Sequence, residues 1–180
     1  MSTKTEEISA AVKAAQEGIT EAAAHAERLA ESAREKAETA AEHGWGGVAA
    51  NMEQAVGHLE GVIEQLGTAE KDGQTAVTAL DEITDQMSSP EVVERLVTAG
   101  GDLDTVTGSL DAAVAEVDEA VSACEAAGQT SLPGAMHNLR EEIAEAQERA
   151  GQSRTEIDAE REQAETWTDA VEEEEEKSAS

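Results

Sequence analysis

Four histidines, His25, His43, His58 and His137, and a single cysteine, Cys124, are the side chains of this 180-residue chain best suited to chemistry near neutral pH. A di-metal carboxylate centre in a helical protein takes Glu-x-x-His pairs that project into the core. The residues three places before the histidines are Ala22, Ala40, Ala55 and Gly134, so that centre lacks its motif. No two histidines stand four apart, no glycine-rich phosphate loop follows a strand, and the serines show no partner arrangement for nucleophilic catalysis. One cysteine makes neither an intrachain disulfide nor a thiolate cage, and Cys124 reads as a small core residue. No catalytic residue, cofactor-binding residue or metal ligand is expected. His25 reads as a solvated side chain on a polar helix.

What remains is one bulky residue in an unusual setting. In "AAEHGWGGVAANMEQ", residues 40–54, Trp45 stands between glycines with alanine-rich, charge-rich runs on both sides. Two roles suit an indole there. It can cover the end of a helical bundle by burying against residues 128–134, or it can present its ring to a partner protein. Trp45 and Gly47 are the candidate turn and contact residues.

The elements that position this turn follow from composition and period. Phe and Tyr are absent and aromatic residues make up 1% of the chain, so a core must come from Ala, Val, Leu, Ile and Met. Good helix formers dominate and no strand-length alternation occurs, which predicts an all-α chain. In the first segment Ile8, Val12, Ala15, Ile19, Ala22, Ala26, Leu29 and Ala33 alternate at spacings of four and three, the mark of one helix face. His43 and Gly44 then supply a C-terminal stop. The second stripe runs from Val48 through Met52, Leu59, Leu66, Gly73 and Leu80 to Ile83 and Met87. Ser89 is placed as an N-cap with Pro90 opening the third helix, and Glu91 and Glu94 favour its positive end. The third stripe, Val92 to Ala127, stays in phase across Gly100-Gly101 and is kept as one helix. The fourth runs from Leu132 through Ile143, Ser153 and Ile157, passes a polar Glu160, and continues through Ala164, Trp167 and Val171.

These stripes predict helices over about 5–43, 48–87, 90–127 and 132–171, near 58 Å long at ~1.5 Å rise per residue. Equal lengths and short connections favour an elongated antiparallel four-helix bundle of coiled-coil type, a single domain over 1–171. Residues 172–180, acidic and aperiodic, are expected to be a disordered tail. A shift of 87 places Gly47, Asn51, Met52 and Val56 on Gly134, Asn138, Leu139 and Ile143, which suggests two fused hairpins, 5–88 and 89–171. Glycines at 18, 57, 61, 67, 73 and 108 lie inside helices at ~1 kcal/mol each relative to alanine; close packing against a neighbouring helix, or local softness, would account for them.

The helix, Gly44-Trp45-Gly46-Gly47, helix arrangement resembles the WXG-motif family of small helical hairpins associated with type VII secretion. In that family a Trp-x-Gly turn joins two antiparallel helices. The resemblance covers about residues 5–88 and rests on Trp45-Gly46-Gly47 with the helix pattern around it. It implies a non-enzymatic partner or carrier linked to export. This chain departs from the family by carrying both hairpins itself, by having Leu132-Pro133-Gly134 at the place of a second motif, and by lacking any Tyr for the Tyr-x-x-x-Asp/Glu signal. The whole chain also resembles uncharacterised helical proteins and toxin-leading helical regions of high-GC Gram-positive bacteria.

A formal charge of −29, from 41 acidic and 12 basic residues, repels phosphates and anionic lipid surfaces. Protein partners are therefore expected and nucleic acid is not. No apolar run approaches the ~20 residues of a membrane span and no signal-peptide pattern opens the sequence. The expected setting is cytoplasmic, with any export independent of a cleaved signal peptide. The alternative function is a generic acidic helical scaffold or a binder of basic proteins, which would be indifferent to Trp45.

Overall fold

The computed structural model describes residues 2–179, apart from the side chain of Ser2. Four helices, α1 (Ser2–Glu42), α2 (Gly46–Asp81), α3 (Ser89–Ala126) and α4 (Ser131–Ala179), run up and down in sequence order. Each helix packs on its two neighbours, with α4 closing the ring against α1. Among the described residues the backbones of diagonal helices stay more than 8 Å apart, Cα to Cα. This square arrangement follows from the stripes: each carries an apolar residue every three or four positions, so only one face per helix gains by leaving water.

Residues at the stripe positions fill the interior. Ile8, Ile19, Met52, Leu59, Leu66, Leu80, Leu96, Leu103, Leu110, Met136, Leu139 and Ile143 are fully buried. Ala22, Ala26, Ala33, Ala55, Ala69, Ala99 and Ala113 have no exposed surface at all, and their small side chains let the helix axes approach closely. The three non-apolar stripe entries, Gly73, Ser153 and Glu160, are buried with them. Gly100 and Gly101 leave α3 unbroken.

Glycines inside helices fall into two groups, apart from Gly18, where a Cβ would make ordinary contact with Ala146 at 3.8 Å. A Cβ at Gly73 would stand 3.1 Å from Gln16, one at Gly100 3.1 Å from the Arg154 guanidinium carbon, and one at Gly61 3.1 Å from the Glu116 carboxyl carbon. These three seat a polar side chain from the neighbouring helix. At Gly57, Gly67, Gly101 and Gly108 a Cβ would meet nothing within 4 Å, so close packing does not explain them.

The bundle ends depart from expectation in three ways. First, α2 stops at Asp81 and not near residue 87, leaving a seven-residue connection over 82–88. Ile83 donates its N–H back to the Leu80 carbonyl, a tighter turn than the α-helix makes, and Met87 N–H bonds the Thr84 carbonyl. Ile83 is buried and Met87 packs against the core, so both keep their apolar role without helical backbone. Second, the N-cap of α3 is Ser88, not Ser89. Its N–H and Oγ both donate to Glu91 Oε2 at 2.8 Å, and Pro90 sits within the first turn. Third, Trp167 and Val171 are not core: they are 66% and 45% exposed. Helix α4 runs on to Ala179 as an exposed helix.

Register separates the two exposed residues: Trp167 is still level with Glu91 of α3, whereas Val171 lies past the first residue of that helix. Asp118, Asp111 and Asp104 of α3 meet Arg140, Gln147 and Arg154 of α4, a seven-residue step back along α3 for every seven forward along α4. The same register carries Ser89, the first residue of α3, to the level of Asp169. On the other flank Lys4 of α1 pairs with Glu156 at 3.3 Å. At Val171 the core stripe of α4 has passed the start of α3.

Candidate interaction surface

The turn between α1 and α2 is built by one glycine. Gly44 takes φ +75°, which an L side chain resists, while Gly44 N–H bonds the Ala41 carbonyl (3.0 Å) and Trp45 N–H reaches the Ala40 carbonyl (2.9 Å). This pair of bonds is the Schellman motif, which satisfies the last carbonyls of α1. Trp45 is at once the residue beyond that cap and the N-cap of α2, its own carbonyl accepting from Ala49 N–H at 3.0 Å.

The turn between α3 and α4 repeats the device. Gly128 takes φ +73°, its N–H bonds the Glu125 carbonyl (2.9 Å), and Gln129 N–H bonds the Cys124 carbonyl (3.0 Å). Both turns lie at the same end of the bundle. Gly44 and Gly128 stand 84 residues apart, and this offset superposes turn on turn and stripe on stripe; the offset of 87 read from Gly47 and Gly134 does not. Those two glycines lie in the first turns of α2 and α4, not in the connections.

Trp45 does not cover the bundle end. Its side chain is 57% exposed and stacks on His43, with ring centroids 4.9 Å apart and planes 29° from parallel. His43 is itself fixed, its Nδ1 lying 2.7 Å from the Thr39 carbonyl, so that nitrogen carries the proton and donates. Beside the indole a shallow groove of about 370 Å³ is lined by Lys36, Thr39, Ala40, Trp45, Val48 and Gln129. Gly46 and Gly47 are exposed helical residues, and a Cβ on either would meet nothing within 4 Å. The positive φ of the turn lies at Gly44, and Gly46 and Gly47 are the first residues of α2. What they do is leave the surface beside Trp45 bare.

Two other histidines bridge helices, and His137 is exposed. His25 is mostly buried and meets Glu142 of α4 at 3.1 Å, and His58 meets Glu116 of α3 at 2.6 Å. The sequence placed His25 in solvent because a cross-helix pair leaves no local signature. Among the described residues no group of three or more His, Cys, Asp or Glu side chains could hold a metal ion. Cys124 is buried and 3.9 Å from Met136 Sδ, and burial pushes its thiol pKa up. Burial also raises the Asp102 carboxyl pKa, with a smaller push from Asp72, whereas a hydrogen bond from Ser9, aided by Lys13, lowers that of Asp81. Among the described residues no helix is long and apolar enough to cross a membrane. No protein-family model, curated protein or solved structure matches the chain.

Proposed function

We propose that the chain is a non-enzymatic helical protein-interaction module whose contact surface is the two-turn end of the bundle, with Trp45 as its anchor. One observation carries this reading: a protein that builds its whole core without an aromatic residue holds an indole more than half exposed on a locked turn. Aromatic anchors of this kind supply large contact area at small entropic cost. Stacking on His43 fixes the ring before a partner arrives, and the bare flank at Gly46 and Gly47 lets a partner approach closely. The WXG-motif resemblance gives such a module its setting, an export-linked partner or carrier of the type VII kind. The charge of −29 argues against nucleic acid as that partner.

A photo-crosslinking residue at position 47, compared with one at the equally open position 101 in mid-α3, tests the location. The proposal expects one discrete adduct in cell extract from position 47 that persists at ~0.5 M NaCl and is lost in Trp45→Ala. Equal labelling from both positions, lost in salt, would instead fit an acidic scaffold that binds cations anywhere along its length.

A further inference from the structure

Both tryptophans are exposed, and they lie at opposite ends of the bundle. Trp167 and Val171 stand four apart on α4, in phase with the buried Ile157 and Ala164. Their face is core in type. The offset of 84 makes Ile83 and Met87 their equivalents in the first half, and there the chain leaves the helix after Asp81 and tucks both residues against the core. In the second half α4 runs straight on, about ten residues or ~15 Å past the level of Asp169. An apolar surface that the first half covers is left without cover in the second.

The flank of this face selects what can cover it. Glu172 to Glu176 follow directly, and one lysine, Lys177, stands among them, 3.9 Å from Glu173. No cation lies within ion-pair distance of Glu172, Glu174 or Glu175 among the described residues, and carboxylates this close to a helix C-terminus oppose its dipole. A second copy of the chain would bring a like charge of −29 against the same run, and an anionic surface would be repelled as well. We infer that the exposed α4 extension is a second docking surface, which takes a basic amphipathic helix of another protein. The partner's apolar residues, at helical spacing, lie on Trp167 and Val171 while its lysines or arginines meet Glu172, Glu174 and Glu175.

The full chain carrying Trp45→Phe tests this, because Trp167 is then its sole indole. The probe is a synthetic peptide with leucines at positions i, i+3, i+4 and i+7 and lysines between them. A second peptide has the same composition with its leucines scattered around the helix. Saturable binding with a blue shift of Trp167 emission is expected for the first peptide. Its affinity should fall at least ~10-fold on Val171→Ala, on Glu172, Glu174 and Glu175→Gln together, and in the scattered peptide. Calorimetry reads the same loss for Trp167→Ala. These are exposed positions, and circular dichroism should confirm an unchanged fold. Equal affinity for both peptides, or an unchanged affinity in the Trp167 and Val171 variants, overturns the inference in favour of charge alone. Self-association in sedimentation that disappears with Trp167→Ala overturns it in favour of a second copy.

Discussion

The two halves of the molecule carry the same stripe and finish it differently. Gly44 and Gly128 turn the chain by the same cap, and the residues that follow bury in the same phase until Leu80 in one half and Ala164 in the other. Beyond that point Ile83 is 8% exposed and Trp167 66%. An apolar period specifies which face of a helix wants cover; whether cover exists depends on what packs against that face. In the first half the 82–88 connection provides it, pinned by Asp81 on Ser9 and Lys13 and by the Ser88–Glu91 cap. In the second half nothing in the described chain does.

Substituting the equivalent positions is the strongest way to break that comparison. Ile83→Ala should cost about 2 kcal/mol in denaturant unfolding, the lower range for a buried isoleucine because a connection can partly collapse into the space. Trp167→Ala should change stability by no more than ~0.5 kcal/mol, as an exposed substitution does. Similar losses at both sites would mean that Trp167 is covered within the chain.

The turn end offers a second contrast, smaller in size. Gly44→Ala forces a Cβ into the left-handed region and should destabilise by roughly 1 kcal/mol. Gly47→Ala, three residues on, adds a Cβ in open space to a helical residue and should stabilise by up to ~1 kcal/mol. A thermal melt of each variant reads the sign. Destabilisation by Gly47→Ala would show that the glycine after the tryptophan serves the turn and not the surface.

Acid should separate the ends further, with the smallest effect. Asp81 and Glu91 both titrate below their ordinary values of 3.8 and 4.5 in the folded state, Asp81 through Ser9 and then Lys13, Glu91 through the Ser88 N–H and hydroxyl. A lowered folded pKa means a contribution fully present above the ordinary value and lost as pH falls through the folded one. Amide exchange, corrected for its intrinsic pH dependence, should therefore rise over residues 82–92 as pH drops below about 4.5, ahead of residues 43–49. Simultaneous loosening of both ends would remove the role given to these two carboxylates.

Much of this was legible in the residues. The spacing from Ile8 to Ala164 located the core faces of all four helices, including polar Ser153 and Glu160, because burying one side of a long helix imposes the period on every turn. Gly44 was readable as a cap because few other residues take its conformation. The end of α2 was not, since Ile83 and Met87 keep the helical phase after the backbone has left the helix; the Ser88-x-x-Glu91 capping pair was the local sign of the break. Trp45 invited burial on grounds of size, but the groove beside its stack on His43 reaches Gln129, 84 positions further along the chain, which periodicity does not encode. The His25–Glu142 and His58–Glu116 bridges escaped for the same reason.

Trp45→Ala tests the central claim most directly: that an indole on the two-turn end exists for a partner and not for the fold. The full chain and the variant, immobilised at equal density, are to be compared for the protein that crosslinks at position 47, with unfolding measured on the same preparations. The account predicts that the variant loses that protein while its stability falls by no more than about 1 kcal/mol, the worth of the stack on His43. Retention of the protein, or a loss of stability of about 2–3 kcal/mol as for a buried aromatic ring, would contradict it.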